Sequence, residues 1–355
     1  FKEALLEQVR NIEEAYWSLQ ASYTTLQALD QILPLLEDAV RIEELRLQAE
    51  LVTIAEVARV RLQRNEFQQE RVRVLADIQR AEYTLRTLLG LPVESRQKFM
   101  PIEPPRVEWD NLSLDQSLAT AMSYRPDIVQ RRLRVRVREL EWKIADNQVF
   151  PQWDLTALYR ASGISNQFEE TFDQIAATKY ADWTVGMEFS VPLGNRAARS
   201  SRAAAEDQLH RERALYHQHI KNVSYELADL IRDLKATSKE YELAHQRVAD
   251  SQDWVRTARL RFSSPPSAGR SEDWLLVALD DYQFALRRHI DAVVDASRLL
   301  GEYNSLLARL GEAQGTLLEQ RLVELDDDPI KNVRDNALNW EGGDVSPQHG
   351  WSTGP

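Results

Sequence analysis

The most regular pattern of apolar and polar positions lies between Arg196 and Phe262. Every seventh residue from Ile220 is uncharged: Leu227, Leu234, Tyr241, Val248, Val255 and Phe262. A second track runs through Val223, Leu230, Thr237, Ala244, Ser251 and Ala258, with Glu, Lys, Arg, Asp and Gln between the two. Apolar positions alternating at three and four residues over so many heptads predict a coiled-coil seam. No proline or glycine interrupts the stretch, so at 1.5 Å per residue the helix would be roughly 100 Å long.

The same pattern opens the chain. Leu5, Ile12, Leu19, Leu26, Leu33, Val40 and Leu47 form one track; the companion track starts as Val9, Tyr16 and Tyr23 and turns acidic at Asp30, Glu37 and Glu44. That acidic stripe reads as a solvated helix face or, more sharply, as a wall facing a water-filled lumen. Pro34 sits inside the helix and is expected to bend it. After a turn at Glu50 to Val52, Thr53 and Glu56 form a capping box. The return helix carries Val60, Phe67, Val74, Ala81 and Leu88 and stops at Gly90-Leu-Pro92. Residues 1–92 therefore read as a first antiparallel helical hairpin.

Residues 93–150 are a proline-bearing connector followed by two shorter helices, the second launched by Arg125-Pro126-Asp127. It places Leu133, Val137, Leu140 and Ile144 on one face. Its arginines (131, 132, 134, 136 and 138) read as a solvated face, since no aromatic interleaving or nucleic-acid motif accompanies them. At Pro151 the period changes to two. Trp153, Leu155, Ala157 and Tyr159 alternate with polar residues, although Leu158 breaks the rule; Val185, Met187, Phe189 and Val191 do the same after Trp183. About nine residues per strand suits a tilted bilayer crossing, and tryptophans near strand ends suit an aromatic girdle. Two strands cannot close a barrel, so a crossing needs strands from other subunits and from sequence before Phe1. Residues 151–193 thus form a β-hairpin with a long polar loop (161–182).

The long helix breaks at Ser263-Ser-Pro-Pro-Ser-Ala-Gly269 and returns. The returning tracks are Leu279, Leu286, Val293, Leu300 and Leu307, and Leu275, Tyr282, His289, Ala296, Tyr303 and Leu310; an end is expected at Gly311. Residues 194–316 form a second, longer hairpin, and residues 317–355 read as a disordered tail. The order of hairpin, linking helices, strand pair and hairpin is an internal duplication. The chain starts at Phe1 already inside the heptads, and reads as processed or N-terminally incomplete.

Composition narrows the function. A formal charge of −12 repels nucleic acid. The absence of cysteine fits an envelope protein and equally a cytosolic one. No apolar run reaches the length of a transmembrane helix. Enzymatic signatures are missing: there is no Gly-rich phosphate loop, no HExxH and no cysteine nucleophile. His210 and His217 share a face but sit seven apart, His217 and His219 point to different faces, and His289 falls on a seam as a packed residue. No cofactor or metal is expected.

At Tyr124-Arg-Pro-Asp-Ile128, Phe150-Pro151, Val185-Gly-Met-Glu-Phe-Ser-Val-Pro-Leu193, Leu88-Leu-Gly-Leu-Pro92 and Leu310-Gly311, the chain resembles the outer-membrane factors, the TolC-like outer membrane efflux proteins. The resemblance covers residues 1 to about 315. It implies a mainly α fold with a β-hairpin. The long antiparallel coiled-coil hairpins would build an α-barrel, and the strands would contribute to a trimeric transmembrane β-barrel. It also implies a homotrimer in the cell outer membrane, in contact with outer-membrane lipid and extending into the periplasm. Such a trimer is the passive exit duct of a tripartite efflux pump or type I secretion system, working with a periplasmic adaptor (membrane fusion) protein and an inner-membrane pump. The alternative is a structural coiled-coil scaffold or tether, which explains the heptads but not the alternating strands.

The resemblance places gate and adaptor contacts at the hairpin tips: Glu50, Val52, Thr53 and Glu56 in the first, Gly269, Arg270, Ser271, Glu272 and Asp273 in the second. Both tips depart from the family pattern. Glu50 stands where a glycine is expected, and Ser264-Pro-Pro-Ser267 is inserted in the second. Arg270 paired with Glu272, Asp273 or a neighbouring subunit's acid would be a latch. The membrane strands are assigned through Trp153, Leu155, Tyr159, Trp183, Val185, Met187, Phe189 and Val191.

Overall fold

The computed structural model describes residues 1–92, 98–106, 112–161, 181–191, 194–264 and 273–323. They form α1 (Lys2–Gln48), α2 (Ile54–Leu88), α3 (Leu114–Tyr124), α4 (Pro126–Asn147), β1 (Gln152–Ala161), β2 (Ala181–Ser190), α5 (Arg196–Ser263), α6 (Asp273–Gln314) and α7 (Leu317–Gln320). The chain divides into two compact units, one of residues 1–109 and 233–355, the other of residues 110–232. Among the described residues no helix is long and apolar enough to cross a membrane.

The first unit is built on heptad packing. α5 behaves as its pattern predicts: Leu234, Val255 and Phe262 on one track and Thr237, Ala244, Ser251 and Ala258 on the other are buried. On α6, Leu275, Leu279, Tyr282, Leu286, Ala296, Tyr303 and Leu310 are buried likewise. α1 departs from its pattern. Leu19 and Val40 of the expected track are buried, but at the helix's centre the buried residues are Leu29, Ile32, Leu36 and Ala39, joined by Glu43 and Arg46, while Leu26 and Leu33 of the expected track are only half-buried. The reason is that α1 packs against both α2 and α6. A helix with two neighbours buries a wider sector than a single seam, and its centre shifts away from either edge. Leu29, Leu36, Val60, Phe67, Phe262, Leu279, Tyr282 and Leu286 meet in one shared core.

The turns follow local chemistry. Thr53 Oγ1 accepts from the Ala55 amide at 3.3 Å, and the Thr53 amide donates to Glu56 Oε2 at 2.9 Å, closing the capping box. Glu50 adopts φ +58°, with Leu51 N–H donating to the Arg46 carbonyl at 2.9 Å. This left-handed position after a helix normally takes glycine, which is the physical content of the departure noted in the sequence. α2 ends on Gly90 at φ +66°.

The connector is strapped to the helices by side chains. The Phe99 amide donates to Glu82 Oε1 at 3.1 Å, the Glu103 amide to the Tyr16 hydroxyl at 3.0 Å, and the Arg106 amide to Asn304 Oδ1 at 3.0 Å. Asn304 returns a bond to the Arg106 carbonyl at 3.3 Å. An extended segment without its own secondary structure thereby satisfies its main chain.

Two expected boundaries move at the C-terminal end. α6 runs through Gly311 to Gln314 and stops at Gly315, whose φ is +76°. Gly311 instead permits a close approach, since a Cβ there would stand 3.2 Å from Leu317 Cδ1. The tail expected to begin at 317 opens with helical α7, whose Leu317 and Leu318 are buried with Leu6. Arg321 forks onto Glu13 at 2.5 and 2.7 Å. Residues 324–355 lie outside the described residues.

In the second unit, Asp127 opens α4. Its Oδ1 accepts the Ile128 amide at 2.8 Å, both its oxygens accept Arg125 Nε at 3.0 Å, and His219 Nε2 lies 3.0 Å from its Oδ2. Arg125 also reaches Glu226 at 2.8 Å. These acids hold the Arg125 guanidinium above its ordinary pKa, against the opposing and largest effect of burial. The Arg125-Pro126-Asp127 corner therefore staples α3 and α4 to α5.

The left-handed Glu50 yields a prediction. Glu50→Gly removes a β-carbon clash of about 1 kcal/mol and should raise the stability of the first hairpin by a similar amount, read from chemical denaturation. Thr53→Ala should lower it by about 1 kcal/mol.

Candidate functional site

β1 and β2 pair antiparallel, from Gln152 opposite Ser190 to Ala161 opposite Ala181. Because side chains alternate, one face carries the pairs Trp153–Phe189, Leu155–Met187, Ala157–Val185 and Tyr159–Trp183. The other carries Asp154–Glu188, Thr156–Gly186, Leu158–Thr184 and Arg160–Asp182. The expected membrane residues Trp153, Leu155, Tyr159, Trp183, Val185, Met187 and Phe189 thus share one face. Val191 follows β2 and is also exposed. Trp153 packs on Phe189 with ring centroids 4.8 Å apart, and Tyr159 faces Trp183 towards the other end of the ladder. Aromatic pairs therefore bound the apolar face at both ends, the arrangement of two interfacial girdles. Leu158, which breaks the alternation, lies among the polar residues. Among the described residues nothing covers the apolar face; Trp153, Leu155, Trp183 and Met187 are all largely exposed.

A second uncovered surface lies on α4. Leu133, Val137, Leu140 and Ile144 are 60%, 52%, 47% and 58% exposed, so among the described residues nothing covers this face. The arginines beside it are spent locally. Arg136 pairs with Glu139 at 3.0 Å, Arg138 with Glu141 at 2.6 Å, and Glu139 also with Arg213 at 2.8 Å. A strip of apolar side chains between ion pairs fits another protein surface better than a phosphate backbone.

The acidic stripe is largely compensated. Asp30 pairs with Arg71 at 2.6 Å and Glu44 with Arg61 at 2.5 Å, both across the α1–α2 hairpin, while Glu37 is exposed. At the first tip Glu50 and Thr53 are exposed, and Val52 and Glu56 are half-buried. Thr53, by its hydrogen bonds, holds the Glu56 carboxyl below the usual carboxylate range. Gly269, Arg270, Ser271 and Glu272 lie outside the described residues, and Asp273 starts α6.

The residues that join the two hairpins just behind the tips were not legible as a site. Arg46 donates to Glu43 Oε1 at 2.6 Å and to the Phe262 carbonyl, and lies 4.6 Å over the Phe262 ring. Phe262 in turn stacks on Tyr282 at 5.3 Å. Glu43 is 1% exposed, and its Oε2 has no hydrogen-bond partner; burial pushes its carboxyl above the ordinary range despite Arg46. Burial also pushes the Tyr282 hydroxyl up to about 12. Exposed links run alongside: Arg259–Asp38 at 3.4 Å, Arg287–Glu66 at 3.1 Å and Arg59–Asp280 at 3.5 Å. The sequence signal for the buried pair was present. Heptad steps from Leu29 and Leu36 land on Glu43, and those from Ile32 and Ala39 land on Arg46.

His289 is a packed residue. Its Nδ1 lies 2.9 Å from Ser251 Oγ, which is also within 2.9 Å of the Val248 carbonyl. Burial holds the imidazole's pKa down. Among the described residues no group of three or more His, Asp or Glu is placed to hold a metal.

The family model for outer membrane efflux proteins matches residues 118–264, which contain α4, the β-hairpin and nearly all of α5. No curated protein matches the sequence significantly. Among solved structures the chain is similar to the outer-membrane channel OprN, with a TM-score of 0.64 and 16% identity over 89% of this chain and 67% of that one. It is similar to the outer membrane protein VceC of Vibrio cholerae, with 0.60 and 20% over 87% and 70%. The outer membrane channel CmeC of Campylobacter jejuni gives 0.57 and 17% over 95% and 67%. The fold of the chain is that of outer-membrane channels: mainly α, with long helical hairpins and one strand pair.

The buried pair behind the tips generates a stability prediction. Arg46→Met leaves the buried Glu43 carboxylate uncompensated and should cost roughly 3–5 kcal/mol, whereas Glu43→Leu with Arg46→Met should lie near wild type. Because the folded carboxyl has a raised pKa, its stabilising contribution is complete below the ordinary carboxylate pKa and is lost as pH rises through the raised value. Unfolding free energy against pH should show that decline in wild type and lose it in the double variant.

Proposed function

We propose that the chain is one subunit of a homotrimeric exit duct in the cell outer membrane, extending into the periplasm. The duct serves as the passive conduit of a tripartite efflux pump or type I secretion system. The observation that carries this reading is the β-hairpin, with one apolar face bounded by aromatic pairs and one polar face. A soluble scaffold has no use for an uncovered apolar sheet face. In a barrel that face meets outer-membrane lipid and the polar face meets water. Neighbouring copies supply the strands that this hairpin lacks and cover the α4 stripe.

On this reading the helical hairpins are the periplasmic wall, and their tips meet a periplasmic adaptor and, through it, an inner-membrane pump. The conduit itself needs no cofactor. Closure at the tips rests on contacts that hold the second hairpin against the first. The Glu43–Arg46–Phe262 cluster is the buried member of that set, with Arg270 as a further latch at the second tip. Compensation of Asp30 and Glu44 by Arg71 and Arg61 leaves Glu37 and the excess of acids over bases to favour cations.

Single-channel recording of the full-length protein in planar bilayers tests the reading. Discrete cation-favouring steps are expected, small at rest and larger after Arg46→Met or Arg270→Ser. Unchanged resting conductance in both variants would remove these residues from the gate. Failure of a folded, soluble protein to insert would overturn the duct.

A further inference from the structure

A half-open pocket of about 190 Å³ lies beside the connector, between α1, α5 and α6. Its walls include Trp17, Tyr241, Val248, Val293 and Leu300, and Pro105 of the connector completes the lining. The roof is fixed, because the next residue, Arg106, is held at both its amide and carbonyl by Asn304. The floor is open because Gly301 has no side chain: a Cβ there would stand 3.4 Å from the Trp17 carbonyl oxygen. One polar group faces this apolar pocket without satisfaction. Gln20 lines the cavity, and its Oε1 is buried with no hydrogen-bond partner.

A buried amide oxygen without a partner costs free energy that an occupant recovers. An apolar cavity of roughly 150 Å³ admits one benzene ring, so this one has room for a ring bearing a single substituent. A hydroxyl both donates and accepts, and so meets the Gln20 amide in either orientation. We propose that this cavity is a binding site for a small phenolic solute, the ring among Trp17, Tyr241 and Leu300 and the hydroxyl on Gln20. The site sits in the helical wall and stands apart from the conduit. Its occupant touches α1, α5, α6 and the connector at once, and binding therefore stiffens the junction of the two hairpins.

The test is fluorine NMR of 4-fluorophenol and fluorobenzene titrated against the full-length, detergent-solubilised protein, which requires no conduction and is independent of the duct reading. Saturable binding of 4-fluorophenol is expected, with fluorobenzene weaker by about three- to tenfold, the worth of one hydrogen bond. Gln20→Leu should erase that preference while leaving ring binding. Ala296→Leu, which fills the space, should abolish both. No saturable binding to the wild type would mean that the space holds only water and would overturn the proposal. Equal binding in the filled variant, or a phenol preference that survives Gln20→Leu, would overturn it as well.

Discussion

A two-stranded sheet leaves the outer main-chain groups of both strands without partners, and in hydrocarbon no water can supply them. That constraint reaches through the whole molecule. On the proposed reading the apolar face bounded by Trp153–Phe189 and Tyr159–Trp183 meets lipid, yet β1 and β2 alone could not stay there. The hairpin therefore demands neighbours, and neighbours demand matching surfaces elsewhere along the chain. The exposed stripe from Leu133 to Ile144 on α4 is such a surface. A protein that buried these residues within itself would have no reason to assemble.

On the duct reading the helical part answers a different requirement, that of staying closed while remaining able to open. Most links between the two hairpins are exposed ion pairs such as Arg259–Asp38 and Arg287–Glu66, each worth little on its own. Arg46 and Glu43 differ because they are buried, and because Arg46 also satisfies a carbonyl at the end of α5. A buried ion pair adds little net stability but is costly to half-break. It favours one arrangement over its neighbours more than it favours folding, which suits a joint with two states.

Most of this was legible in the sequence where one helix faces one partner. The α5 and α6 tracks, the capping box at Thr53, the Gly90 stop and the alternation in both strands all appear where the pattern puts them. α1 was misread at its centre because the heptad argument presumes a single neighbour, and α1 has two. Glu43 and Arg46 were hidden for the same reason, since charged residues are read as surface until a second helix is known to cover them. Gly311 was read as a stop because glycine usually is one; its use in letting α7 fold back depends on Leu317, six residues on, which no periodicity ties to it. The second tip is left undecided by both routes.

The contact between Arg321 and Glu13 joins positions 308 residues apart, and the bond from Arg46 to Phe262 spans 216. The first helix is thus completed by the last stretch of the chain. Until α6 has been synthesised, α1 has only α2 against its wide apolar sector, and the remainder stays open to solvent. Contacts of such long range are slow to form, because the loop must close before anything rewards it. Residues 1–50, synthesised more than two hundred residues before α6, are among the last to reach their final environment. For most of its early life this helix depends on being shielded by something other than its own fold.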